Sequence, residues 1–174
     1  MLDFRSYLSD ILSENRRAQA EGWKLTTCSG PGGLEGALDA ARTHSRHVCL
    51  TDTTDTEIYR NGGAWMQRDV YTIFICARYD RRTHTTTYEQ ALLACRRLQR
   101  DIISRLLHDD DLMRRDLLML DTAQFRSRDL GAEFLPDTAG LYFMVGISRP
   151  LDLRWKADDW QPQVFAREFH EYFL

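Results

Sequence analysis

Four clusters in the chain carry side chains capable of chemistry. His44 and His47, with Cys49 close behind, have a spacing that zinc can use. A structural zinc takes four ligands and a catalytic one three plus water, and Cys49 is the only further donor nearby. His108-Asp109-Asp110-Asp111 offers hard oxygens. Calcium loops, however, space their oxygens at alternate positions around a turn glycine and end on a bidentate glutamate. Ser29-Gly30-Pro31-Gly32-Gly33 has the glycines of a phosphate loop but not its Gly-Lys-Ser/Thr, and Glu35 would repel a phosphate. Arg78-x-x-Arg81-Arg82, beside His84, suits phosphate or the carboxylates of a protein partner. There is no Gly-x-Ser-x-Gly, and no cysteine stands in a recognisable thiol-enzyme signature. The expectation is a chain without catalytic residues, cofactor or metal.

Composition points the same way. The chain has 174 residues and a net charge of −3, which fits one domain and is not the balance of a polycation that coats nucleic acid. Of the 23 basic residues only Lys24 and Lys156 are lysine. Arginine, with its rigid fork of donors, serves contacts with carboxylates and aromatics better than lysine does. No run approaches the roughly 20 apolar residues of a membrane span. Met1 to Asn15 contains Asp3, Asp10 and Glu14, unlike a secretory leader, so we expect synthesis in a cytoplasm. Cys28, Cys49, Cys76 and Cys95 form no Cys-x-x-Cys pair, and in that compartment we expect all four to be reduced.

The elements that must position these groups follow from periodicity. Phe4, Tyr7, Leu8, Ile11 and Leu12 make one stripe of a helix from Leu2 to Glu21, closed by Gly22. Cys28 to Gly36 reads as a loop, and Leu34 to Arg42 as a short helix. His47 to Thr51 and Glu57 to Arg60 read as strands. Asn61-Gly62-Gly63 is a turn into a long strand from Trp65 to Asp80. That strand has Tyr71, Ile73, Ile75, Ala77 and Tyr79 on one face. Phe74 and Cys76 on the other predict a cover there too, a helix or another subunit. Thr86-x-x-Glu89 is a capping box opening a helix to about His108, with Asp109, Asp110 and Asp111 as the turn that ends it. Acids at that end oppose the helix dipole and call for an arginine partner, which we assign to a neighbouring chain. Leu117 to Arg126 reads as a strand and Asp129 to Thr138 as a loop. Gly140 to Ser148 reads as a strand apolar on both faces and stopped by Pro150. Beyond Pro162, Phe165, Phe169 and Tyr172 have the spacing of an amphipathic helix. The fold expected is α+β: an antiparallel or mixed sheet with the long helix across it, an N-terminal helix and an aromatic C-terminal tail.

This order resembles the tail-terminator (tail-completion) proteins of long-tailed bacteriophages. Phe4 to Glu21 corresponds to their N-terminal helix, Arg68 to Asp80 to their long strand and Tyr88 to His108 to their long helix. Leu117 to Arg126 and Gly140 to Ser148 correspond to the closing strands. Asp137-Thr138-Ala139-Gly140-Leu141-Tyr142 looks like the final turn and strand. The resemblance covers residues 1–150; the segment 151–174 and the glycine-rich loop depart from it. It implies a non-enzymatic virion protein that forms a ring, six-membered in that family, at the tail–head junction. The partners implied are copies of itself, the tail tube protein and neck or connector proteins. Genome DNA would pass through the ring without sequence-specific binding, and no membrane is involved.

On that reading Arg78, Arg81 and Arg82 and the turn of Asp109, Asp110 and Asp111 are the expected contacts between subunits. Trp160, Phe165 and Phe169 would dock on a neighbouring subunit or on a tail component. The alternatives are another neck, connector or minor tail protein; an enzyme or small-ligand domain with a pocket under the long helix; and a nucleic-acid-binding module using arginines of that helix.

Overall fold

In the computed structural model, residues 3–28, 34–52, 55–80, 86–131, 136–154, 156 and 158 are described. Seven strands make one mixed sheet: β1 (Lys24–Cys28), β2 (Arg46–Thr51), β3 (Asp55–Asn61), β4 (Ala64–Arg78), β5 (Met119–Asp121), β6 (Ser127–Leu130) and β7 (Thr138–Pro150). The helices are α1 (Phe4–Glu14), α2 (Arg16–Glu21), α3 (Leu34–Thr43) and α4 (Tyr88–Arg115). The architecture is α+β, as the periodicities indicate.

The sheet is built around one antiparallel pair. β4 and β7 run together from Met66↔Pro150 to Arg78↔Thr138. Along its other edge β4 takes β3 first, from Asn61↔Ala64 to Asp55↔Val70, and then β2, from Leu50↔Ile73 to Arg46↔Ala77. β7 is treated the same way by β6 and β5. The turn between β3 and β4 is Asn61-Gly62-Gly63, with Gly62 and Gly63 at φ 57° and 89°, a left-handed backbone that glycine adopts without steric cost.

Alternation sorts the sheet into two faces. On one, Val48, Leu50, Ile73, Ile75, Leu141, Phe143 and Val145 meet Leu98, Ile102 and Leu106 of α4 and Leu8, Ile11 and Leu12 of α1. On the other, Cys28, Cys49, Phe74, Cys76 and Leu130 form a second buried cluster, with Tyr142 against it. The second face of the long strand is therefore covered, as its apolar residues require, and the cover at this end comes from within the chain.

Several boundaries differ from those the sequence suggests, each for a local reason. The N-terminal helix is two helices, because the side chain of Asn15 caps α2 by accepting from the Ala18 amide. Gly22 does close α2, in the left-handed conformation at φ 72°. Lys24–Cys28, which carries no strong strand pattern, pairs in parallel with β2, and α3 makes the crossover, packing on both strands. The capping box is Thr87 with Gln90, one residue later than Thr86 with Glu89. Only Met119–Asp121 of the expected strand 117–126 pairs; a 3-10 turn, Thr122–Gln124, follows it. Ser127–Leu130, partly assigned to a loop, is a strand.

The cysteines need a correction as well. Cys76 and Cys95 are free and buried, but Cys28 and Cys49 are joined in a disulfide across β1 and β2, with Cα atoms 6.0 Å apart. The two cysteines occupy one face of adjacent strands, which brings the thiols together although 21 residues separate them in sequence. Alkylation after denaturation without reductant is expected to modify two cysteines, and four once reductant is added. Four under both conditions would remove the bridge.

Candidate interaction surfaces

The aspartate run lies inside α4, which continues to Arg115, so it is not the turn that ends a helix. Three arginines make this possible. Asp109 is buried and receives hydrogen bonds from Arg105 Nε at 2.6 Å and from the Tyr7 hydroxyl at 2.8 Å. Asp110 receives one from Arg114 Nε at 2.9 Å, and Arg114 and Arg115 place positive charge in the last turn, where the dipole favours it. The helix ends at Arg115 with Asp116 as its cap, and Leu117 just beyond takes the left-handed conformation (φ 59°) that glycine more often supplies. The arginine partners expected on a neighbouring chain are thus in the same chain for Asp109 and Asp110. Asp111 is exposed.

These contacts belong to a clamp between the N-terminal helices and α4. Arg105 bridges Asp109 and Glu14, reaching Glu14 Oε2 at 2.5 Å, and Asn15 Nδ2 donates to Asp101 at 3.2 Å. Arg17 pairs with the same Asp101 at 3.2 Å. Burial raises the pKa of Asp109, but the hydrogen bonds from Arg105 and Tyr7 outweigh it, so its carboxyl lies below its ordinary value of 3.8. A depressed carboxyl adds stability that is present above that ordinary value and is lost as pH falls through the folded-state value. Asp109→Asn is expected to cost about 2 kcal/mol at neutral pH, because Tyr7 and Arg105 lose a charged acceptor. Melting curves of the two proteins should converge below pH 4; a constant gap down to strongly acid pH would show that the clamp does not depend on the carboxylate.

The remaining expected contact residues divide by position. Arg78, at the end of β4, is exposed and pairs in register with Thr138. It stands at the end of the sheet where α4 begins, since the Asp80 amide donates to the Thr86 carbonyl. Asp111 stands at the other end of the same helix, more than 30 Å away at ~1.5 Å per residue. Within one chain the fold therefore holds Arg78 and Asp111 far apart and does not bring them into one site. Arg81, Arg82, Trp160, Phe165 and Phe169 lie outside the described residues, as does the glycine-rich loop at 29–33.

Two features were not legible beforehand. Arg68 pairs with both Glu57 of β3 and Asp121 of β5 and lies over the Tyr59 ring, 5.6 Å from its centroid. The Tyr59 hydroxyl donates to Ser148 Oγ at 3.0 Å, so β3, β4, β5 and β7 are tied together on one face at the base of the β3–β4 hairpin. Register is the only signal that could find this set, because Glu57↔Arg68 and Arg68↔Ser148 are cross-strand pairs. Several large apolar side chains are also exposed. Leu93, Leu107 and Leu112 lie on α4, Leu117 lies just past it, and Ile58 and Trp65 lie on the hairpin.

No family model matches the chain, and no curated protein matches it significantly. Chemistry must be judged from the residues alone. Burial pushes the Cys76 thiol up to about 12 and raises Cys95 as well, so neither supplies a thiolate at neutral pH. Cys49 is committed to its disulfide and His47 is buried on the same face, so the His44–His47–Cys49 spacing does not gather as donors. Among the described residues no group of three His, Cys, Asp or Glu side chains could hold a metal ion. No described helix is long and apolar enough to cross a membrane.

Proposed function

We propose that this chain is a structural subunit of a bacteriophage or prophage tail, a tail terminator that assembles as a ring at the tail–head junction. The observation that carries the reading is how the molecule distributes its chemistry. Seven large apolar side chains among the described residues are 41–64% exposed, and four of them lie on α4 or at its end. Aromatics, arginine and exposed apolar groups are what protein–protein interfaces use. A contact between unlike ends of one molecule, repeated head to tail, closes into a ring when the rotation per step allows it. The resemblance in element order supports the same assignment, with a neck or connector protein as the near alternative.

A nucleic-acid module is the rival that one observation favours, since Arg96, Arg97 and Arg100 are exposed on α4. Arg96, however, is paired with Asp129, and the whole chain is acidic. Light scattering on the purified chain is the deciding measurement. A single species of about six times the 20.3 kDa protomer mass is expected, visible as rings by electron microscopy. A strict monomer at every concentration, with salt-sensitive DNA binding, would replace the ring by the rival.

A further inference from the structure

β3 is an edge strand: among the described residues it pairs only with β4. Tyr59 is half-buried and the other six residues of the strand are exposed. Its register with β4 is unbroken from Asp55↔Val70 to Asn61↔Ala64, with neither a bulge nor a proline, two of the devices that blunt an edge. Two of its three charges are drawn back onto β4: Glu57 pairs with Arg68, and Arg60 lies over the Trp65 ring at 5.1 Å. Ile58, between them, is 52% exposed.

The turn decides which backbone groups face that edge. Gly62 and Gly63, both at positive φ, make a two-residue turn whose flanking residues, Asn61 and Ala64, are a hydrogen-bonded pair. Alternation then turns Tyr59, Glu57 and Asp55 towards β4 and leaves the amides and carbonyls of Thr56, Ile58 and Arg60 pointing outward. The far side of β4 agrees. Trp65, opposite Arg60, turns its carbonyl away from β3 and accepts from the Leu151 amide.

We infer that this edge pairs with the same edge of a second copy, antiparallel about a two-fold axis at Ile58. Such an axis stands perpendicular to the sheet and keeps each residue on its own face, so a residue can oppose only one an even number of places away. Centred on Ile58, the axis sets Thr56 against Arg60, Ile58 against Ile58 and Arg60 against Thr56. These are three pairs that exchange two bonds each and use every outward group. Centring on Glu57 or Tyr59 leaves one of the three residues facing no strand residue, and the former also opposes two glutamates. At Ile58 no like charges stand directly opposite, and the isoleucine meets its own copy on the face that carries Trp65, itself 41% exposed. The second copy's Arg60 comes opposite Thr56, whose hydroxyl donates to Asp69 at 3.0 Å. Its backbone is then two strands from Asp69, ~10 Å at ~4.8 Å per strand, within reach of an arginine side chain. A two-fold contact is not the head-to-tail step of a ring, so the inference does not rest on the ring reading.

The test compares full-length chains by light scattering over a range of concentration. At high concentration the wild type is expected to reach twice the mass of Ile58→Lys, a dimer against a monomer or a pair of rings against one ring. Ile58→Lys and Ile58→Glu each oppose like charges at the axis, so each alone should keep the undoubled mass and the wild-type circular dichroism. An equal mixture of the two should regain the doubling. In the wild type itself, deuterium exchange at the amides of Thr56, Ile58 and Arg60 should slow as concentration rises, with the inward amides of Glu57 and Tyr59 changing less. A wild type equal in mass to both variants at every concentration would overturn the inference. Slow exchange of the three outward amides that neither dilution nor substitution alters would overturn it in favour of cover from the same chain. An undoubled mass that is monomeric would remove the ring and leave this contact standing.

Discussion

Phe143→Ala is expected to remove about 4 kcal/mol of folding free energy, read as a lower denaturation midpoint with an unchanged denaturant slope. Phe143 is fully buried in the middle of β7. Its register partners are Ile73 on β4 and Ser127 on β6, so the ring fills the layer where the sheet meets α4. The deletion leaves a cavity whose lining comes from two layers. Strand pairing holds these apart, and the cost belongs at the upper part of the large-to-small range. A loss below 1 kcal/mol would mean that the layers collapse freely, contrary to this packing.

Gly140→Ala should cost about 3 kcal/mol, although it adds only one carbon. A β-carbon there would stand 2.8 Å from the Ile75 carbonyl oxygen and 2.9 Å from Cys76 Sγ. The first is the backbone of the paired strand and cannot turn away. Gly146→Ala, on the same strand and face, is the control. Its β-carbon would press at 2.9 Å on Cγ of Gln124 and at 3.2 and 3.3 Å on the β-carbons of Asp121 and Gln124, which belong to the end of the three-residue β5 and the short turn after it, a segment freer to shift than the backbone of β4. The lower entropy of the unfolded chain offsets part of even that cost, so a change under about 1 kcal/mol is expected. Equal destabilisation by the two alanines would show that strand geometry, and not the contact with Ile75, decides the outcome.

The elements legible in the sequence were those whose own residues specify them. The alternation from Tyr71 to Tyr79 and the Asn-Gly-Gly turn specify the long strand and its hairpin. The period from Leu92 to Leu106 specifies the long helix. What was not legible depends on partners distant in sequence. Asp109 remains helical because Tyr7, 102 residues away, and Arg105 satisfy its carboxylate. Three consecutive acids otherwise read as the end of a helix. Lys24–Cys28 is a strand because β2 lies beside it. The bridge between Cys28 and Cys49 exists because that pairing aligns them. The cap moved by one residue because Thr86-x-x-Glu89 and Thr87-x-x-Gln90 are overlapping candidates, and local sequence does not choose between them. Of the contact residues, the sequence located Arg78 and Asp111 on the surface. It also named Asp109, whose carboxylate is engaged inside the fold.

The pairing of β4 with β7 has a consequence for how the molecule opens. Four other strands hang directly from these two, and β1 reaches them only through β2. Amide protons in the middle of β4 and β7 should therefore exchange with deuterium last, at rates set by global unfolding, while β1, β3 and β5 exchange through local fraying. The central pair also joins residues 70 apart in sequence, Ile73 and Phe143, so a large loop must close before either of these two strands is held on both sides. α4 lies within that loop and can form first on its own local contacts, a surface against which β4 and β7 then meet.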